Sequence, residues 1–272
     1  MASNEQHTYV LGTRAEELVR LGFQHRVWAK YAFDIWERAN FAPGQTILDV
    51  GCGPGFATLD LARIAGTGRV VAVDGSAKFI DHLQGQLAAQ DIRNVQTQVV
   101  DVQELALPPR SVHRAYVRWV LCFVRDPGTV VQRIADALVP GGILAVQDYF
   151  HYESCTLAPK SDIFTRIIRA TGESWRRHGG DPDLAGRLPA ILHKCGFEVR
   201  EITPILRVAI PGTALWHWPT SFFLNYVPSL LEMGLISKAE ADEFNAEWAR
   251  RSNDPNSFFC TPPVFDIIAV KK

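Results

Sequence analysis

Residues 47–58, Ile-Leu-Asp-Val-Gly-Cys-Gly-Pro-Gly-Phe-Ala-Thr, constrain this chain more than any other stretch. Ile47, Leu48 and Val50 are β-formers in a short apolar run, the pattern of a strand buried on both faces. Gly51, Gly53 and Gly55 then break the strand, and residues 56–65 read as a helix ended by Gly66. A strand that turns on glycines into a helix N-terminus lets backbone N–H groups approach a ligand without Cβ obstruction. A glycine turn with no ligand would use the same residues, but strand, glycines and helix in this order favour a ligand.

The next strand separates the candidate ligands. Residues 69–73 lead into Asp74, about 20 residues beyond the last glycine, where a carboxylate can hold a ribose diol through two hydrogen bonds. A nicotinamide dinucleotide would use the same acid. Its fingerprint G-x-G-x-x-G, however, needs Gly or Ala where Phe56 stands, and a bulky side chain there crowds a pyrophosphate. Asp49, expected to point into the glycine loop, would repel a diphosphate and suits a cation. The loop reads as built for a nucleoside carrying an ammonium or sulfonium group.

These residues resemble the class I S-adenosylmethionine-dependent methyltransferases. Asp49-x-Gly51-x-Gly53-x-Gly55 is similar to their first motif, and Val71-Ala-Val-Asp74 to the acidic tip of their second strand. Val99-Val-Asp101-Val102 is similar to the segment whose carboxylate meets the adenine amino group, and Leu138-Val-Pro-Gly-Gly-Ile-Leu144 to the turn into their fifth strand. Over the whole chain, Tyr9-Val-Leu-Gly12, Leu21-x-x-Gln24, Val146-Gln-Asp148 and Gly196-Phe197 resemble bacterial small-molecule methyltransferases of the ubiquinone/menaquinone-methylating type. That resemblance carries no substrate with it. It implies S-adenosyl-L-methionine as cofactor, with contacts from Asp49, Gly51, Cys52, Gly53, Gly55, Asp74, Gly75, Asp101 and Val102. Tyr9 and Gln24 are expected at the amino-acid end of the donor, because lead-in helices in related enzymes fold over that moiety. Arg118, near the end of the fourth strand, would meet the donor's carboxylate if buried and would be a solvated edge arginine if not.

Composition agrees with one compact enzyme. The 272 residues suit one α/β domain with an added cap, and 47% hydrophobic residues can fill a large core. A net charge of −1 without any Lys/Arg run offers nothing to attract nucleic acid. Five scattered cysteines with no C-x-x-C pair read as reduced thiols of a cytoplasmic protein, with no metal site. The N-terminus is polar, so no signal peptide is expected, and no apolar stretch reaches the length of a membrane span. Monomer and homodimer are both compatible.

Read for organisation, the fold class is α/β: a doubly wound, seven-stranded, mainly parallel sheet whose last strand is antiparallel, as the resemblance implies. Residues 1–43 form a helical lead-in. Residues 44–150, 184–207 and 258–272 form the core, with strands near 46–50, 69–73, 95–100, 114–121, 142–149, 197–206 and 262–270. Helices are expected near 56–65, 77–89, 127–138 and 184–195, Ser76 capping the second and Gly196 the last. Residues 151–183 and 208–257 interrupt the pattern and read as a substrate cap. Its aromatics, with Trp119 at the fourth strand, are the candidate acceptor wall: Tyr152, Trp175, Trp216, Trp218, Phe222 and Tyr226. Packing of the cap onto the sheet would use the same rings.

Methyl transfer from a sulfonium needs an acceptor held in line in a dry site, and a base where the acceptor is a hydroxyl or an acidified carbon. His151, Asp148 and His217 are the candidates, with His178 behind them; Asp148 could instead only cap or orient. No Asn/Asp-Pro-Pro-Tyr or Phe follows the fourth strand, which argues against exocyclic amines and glutamine amides. No Pro-Cys nucleophile and no Asp-Asn partner for a magnesium-assisted catechol site are present. The expected reaction is therefore methyl transfer to a small molecule such as a secondary metabolite or another apolar or aromatic compound, O- or C-methylation favoured. A donor-binding protein without transfer and a nicotinamide-dependent oxidoreductase are the alternatives.

Overall fold

The structure, a computed structural model, describes residues 15–272. In chain order the elements begin with α1 (Ala15–Arg38), β1 (Thr46–Val50), α2 (Phe56–Ala65), β2 (Arg69–Asp74), α3 (Ala77–Ala89), β3 (Val95–Val99) and β4 (Val112–Arg118). Then follow α4 (Pro127–Ala137), β5 (Leu138–Tyr149), β6 (Thr156–Ala158), α5 (Asp162–Arg177), α6 (Leu188–Lys194) and β7 (Phe197–Ile205). The chain finishes with β8 (Val208–Ala209), α7 (Ala214–Glu232), α8 (Lys238–Ser252), β9 (Phe258–Cys260) and β10 (Val264–Lys271).

Seven strands form one sheet in the order β3-β2-β1-β4-β5-β10-β7. β1, β2, β3, β4 and β5 pair in parallel, and β10 runs antiparallel to both β5 and β7. Strand order reverses between β1 and β4, so the crevice beyond their carboxyl ends is where such a sheet receives a ligand. α1 packs Trp28, Ala32, Ile35 and Trp36, all at most 2% exposed, against this sheet. A buried polar chain fastens the helix: the Tyr116 hydroxyl donates to Gln147 Oε1 at 2.6 Å, and Gln147 Nε2 donates to Asp266 Oδ1 at 2.7 Å. Arg38 at the end of α1 then pairs with Asp266 and Glu201, which completes this chain of buried polar contacts.

Three elements differ from expectation. β4 stops at Arg118 rather than 121, because Trp119 adopts φ +52°, which no strand can pass through. β5 starts at Leu138, with a register shift between Val112↔Leu138 and Arg114↔Ile143 that absorbs the Pro-Gly-Gly turn. The expected helix at 184–195 is split into a turn at Leu184–Gly186 and α6, because Pro189 sits in the first turn of the new helix. Ser76 caps α3 as expected, its hydroxyl accepting from the Phe79 N–H, and Gly196 follows the last residue of α6's cap with φ +82°.

The two insertions contain α5, α7 and α8, and contribute to a small sheet ordered β6-β9-β8. β9 pairs with β6 and β8 and lies outside the seven-stranded sheet.

Candidate active site

The glycine loop joins β1 to α2 with three left-handed residues, Gly51 at φ +65°, Gly53 at +55° and Gly55 at +87°. A Cβ at Gly51 would stand 2.4 Å from Val120 Cγ2, whereas one at Gly53 would meet nothing within 4 Å. Gly53 therefore shows bare backbone to open space, the cradle that a ligand needs. Asp74, the last residue of β2, accepts the Gly53 N–H on Oδ2 at 2.8 Å and the Ser76 N–H on Oδ1 at 2.8 Å. These bonds lower its carboxyl's proton affinity, but burial dominates and raises it. Asp101 caps the turn Val102–Glu104 by accepting the Gln103 N–H at 2.8 Å. Val102 is buried; Gly75 is exposed beside Asp74. Cys52 is buried, its Sγ 3.5 Å from the Gly53 carbonyl and its thiol pushed up by burial.

Asp49 does not face the loop openly. It is 3% exposed, and its Oδ2 accepts the Thr58 hydroxyl of α2 at 2.6 Å, beneath the glycines. Burial pushes its carboxyl up to about 6, with Thr58 and Arg118 acting in the opposite direction. Arg118 lies level with Gly51, since Val50 pairs with Val117. Its Nη2 reaches His25 Nδ1 at 3.0 Å, and its buried Nη1 has no hydrogen-bond partner among the described residues. An acid beneath the loop, an acid at the tip of β2, open space at Gly53 and a guanidinium N–H left for an anion fit a zwitterionic nucleoside donor.

Beyond β4 and β5 lies an aromatic cavity of about 550 Å³ counted to its open mouth. Trp119, Tyr152, Trp175, Trp218 and Phe222 line it, as the sequence suggested. Trp119 stacks on Tyr149 with centroids 5.8 Å apart and planes at 16°, and Trp175 closes on Tyr152 at 4.7 Å. Gln24 of α1 lines the same cavity. Its Oε1 accepts from Arg20 Nη1 and from Trp218 Nε1, each at 2.9 Å, so the oxygen is occupied and a further partner would meet the amide N–H groups. Arg20 itself forms a bidentate pair with Glu17, at 2.7 and 2.6 Å.

Several expected residues are elsewhere. Asp148 is fully buried, accepts the Cys122 N–H at 3.1 Å and the Tyr149 N–H at 2.9 Å, and holds the loop after β4 instead of facing the cavity. His151 is exposed with φ +58° and lies outside the cavity lining. His217 is on the solvent side of α7, edge-on to Phe23 at 4.8 Å. His178 donates from Nδ1 to the Ser174 carbonyl at 2.7 Å and ends α5. Trp216 stacks on Trp248 at 4.8 Å and donates to Ser252, so it packs α7 on α8. Tyr226 hydrogen-bonds Ser174 at 2.6 Å, joining α7 to α5. Tyr9 lies outside the described residues. Among residues that sequence reasoning missed are Tyr149 at the end of β5, where a ring directly after Asp148 was a usable signal, and Phe123 in the turn after β4. Cys155, Ile168, Phe223, Phe259 and Pro262 reach the lining only through cap packing.

The sheet order, the glycine loop at its switch point and the acid-tipped second strand define a doubly wound nucleoside-binding enzyme. Residues 47–142 match the family model described as a methyltransferase domain. Methyltransferase str3 of Strobilurus tenacellus is 30% identical over 256 residues, covering 91% of this chain and 82% of that protein. A demethylmenaquinone methyltransferase of Symbiobacterium thermophilum is 30% identical over 117 residues, 42% of this chain and 47% of that protein. Among solved structures, the YcgJ protein from Bacillus subtilis shares the fold with a TM-score of 0.60 at 16% identity, covering 89% of this chain and 97% of that one. The chain belongs to the S-adenosylmethionine-dependent methyltransferases, and S-adenosyl-L-methionine is its cofactor.

Proposed function

We propose that this enzyme methylates a flat, largely apolar small molecule held in the aromatic cavity, at an oxygen or at a carbon acidified by one. The donor supplies an activated methyl carbon when bound. Asp74 is read as the ribose acceptor, Asp101 as the adenine acceptor, and Asp49 as the charge beneath the donor's cationic end. The observation that carries the acceptor reading is the lining itself: among the described residues, eleven of its fifteen are Trp, Tyr, Phe or Pro at the carboxyl ends of β4 and β5 or in the cap, and none is a carboxylate or histidine. Such walls exclude water and hold a planar acceptor against the methyl carbon. With no lining carboxylate or imidazole to take a proton, an acceptor that ionises by itself, such as an acidic phenol or enol, is favoured. Gln24 lines the cavity with its oxygen occupied, so its amide N–H groups supply a neutral donor for an acceptor oxygen.

Residues 151–183 and 208–257 act in this reading as the substrate cap, and the free cysteines support a reducing, cytoplasmic setting for a monomer or homodimer. The test is transfer of labelled methyl from S-adenosylmethionine to a panel of phenols, cyclic enols, quinols and aliphatic amines, with products located by NMR. Preference for acidic planar acceptors, lost in Phe222→Ala, supports the reading. Transfer confined to aliphatic amines overturns it, and donor binding with no transfer to any compound points to the donor-binding alternative.

A further inference from the structure

The Arg118 guanidinium lies over the rings of Trp119 and Tyr116, 5.1 and 5.9 Å from their centroids, and is hydrogen-bonded at one end. Its Nη2 lies 3.0 Å from His25 Nδ1, and His25 Nε2 lies 2.9 Å from Asp60 Oδ2. A guanidinium only donates, so Nδ1 must be the bare nitrogen, and the single ring proton sits on Nε2 and is given to Asp60. The imidazole is thus neutral and locked in one tautomer between α1, α2 and the end of β4. It is 8% exposed and stacks near Phe56 with centroids 6.3 Å apart. The charged groups facing it are Asp60 from α2, Arg118 from β4 and Arg26 from its own helix. Asp60 is shared with Arg63 at 2.7 Å. Burial is the largest influence and lowers the proton affinity of His25; Asp60 raises it, and both arginines lower it. The other end of the same guanidinium, Nη1, is buried and has no hydrogen-bond partner among the described residues, on the strand that pairs with β1 below the glycine loop. A buried N–H without an acceptor is costly unless a ligand fills the place.

We propose that His25 is a positioning residue for the donor: anchored by Asp60, it fixes Arg118 so that Nη1 meets the donor's carboxylate. Protonation of His25 removes the acceptor at Nδ1 and sets a second cation against Arg118. Neutral His25 is therefore the competent form, and donor affinity falls as pH drops through the titration of this residue, below the ordinary histidine range. In the complex, the carboxylate and the fixed arginine hold His25 neutral to lower pH still.

Calorimetric titration with S-adenosylhomocysteine and with 5′-methylthioadenosine, which lacks the amino-acid end, tests this without any acceptor. His25→Ala is expected to weaken S-adenosylhomocysteine about tenfold near neutral pH, the scale of one charge-assisted hydrogen bond. The same variant should leave 5′-methylthioadenosine unchanged. His25→Gln, which can accept from Arg118 and donate to Asp60, should recover most of that loss. It should also give a shallower fall in affinity toward acid than the wild type, the difference isolating His25 from Asp49. Equal weakening of both nucleosides by His25→Ala, or no weakening of either, overturns the proposal. If His25→Ala does not fold, His25→Gln decides: a wild-type pH slope overturns it and a flattened slope upholds it.

Discussion

Gly53 and Asp74 are where one substitution reports most directly on the donor. Asp74 already binds two backbone N–H groups, and each oxygen keeps a lone pair for a ribose hydroxyl. Asp74→Ala is expected to weaken S-adenosylmethionine by about 1.5–3 kcal/mol, the range for hydrogen bonds to a charged group; unchanged affinity in calorimetry would take Asp74 out of the site. Gly53→Val should be worse, because a β-branched residue at φ +55° is strained and its side chain enters the ligand's space. Asp101→Asn should discriminate poorly between the donor and its inosine analogue, and an unaltered preference for the amino form would count against that placement. These residues were legible in the sequence because backbone geometry dictates them: a left-handed turn demands glycine, and an acid at a strand tip has one direction to point. Trp119 was legible as a ring but not in its conformation. Its φ of +52° ends β4 and carries the indole into the cavity lining, an outlier that no residue type announces.

At the level of elements, α7 shows what an aromatic count cannot separate. Its sequence places Trp216, Trp218, Phe222 and Tyr226 within three turns, and only the helix's rotation sorts them. Trp218 and Phe222 face the cavity, while Trp216 and Tyr226 face α8 and α5. The two pairs should respond differently. Phe222→Ala is expected to raise the acceptor's apparent KM or lower kcat with donor affinity nearly intact. Trp216→Ala should lower stability by about 3–5 kcal/mol, the usual cost of emptying a buried aromatic site, without changing acceptor KM in the folded fraction. Steady-state kinetics beside thermal melts distinguishes them, and an identical response from both variants would refute the division of the helix. Histidines mislead for a related reason. His151 and His217 sit close in sequence to cavity residues, yet a left-handed turn and a helix's outer face send them to solvent.

On the scale of the whole molecule, strand order was readable because alternating strands and helices leave few ways to wind a parallel sheet. The cap sheet was not: β6, β8 and β9 are two or three residues each and come from distant parts of the chain, so only tertiary packing selects them. Burial also sets a molecule-wide pH response that no local pattern shows. Asp49 and Asp148 are both pushed up from 3.8 to about 6 by burial. Between those values the folded protein keeps protons that the unfolded chain has released, so stability from these groups is lost as pH rises. Two units at about 1.4 kcal/mol each put the loss on the order of 3 kcal/mol per carboxyl. A cationic donor above Asp49 favours its charged form, so binding should expel a proton at and just below about pH 6 and tighten as pH rises toward about 6, levelling off above it. Calorimetry in two buffers of different ionisation enthalpy measures that proton. Asp49→Asn should abolish most of it, whereas Asp148→Asn should not, since its carboxylate serves the amides of Cys122 and Tyr149. Buffer-independent heats for the wild type at that pH would mean that the donor's cation does not sense Asp49, and the loop would then hold the nucleoside by backbone and Asp74 alone.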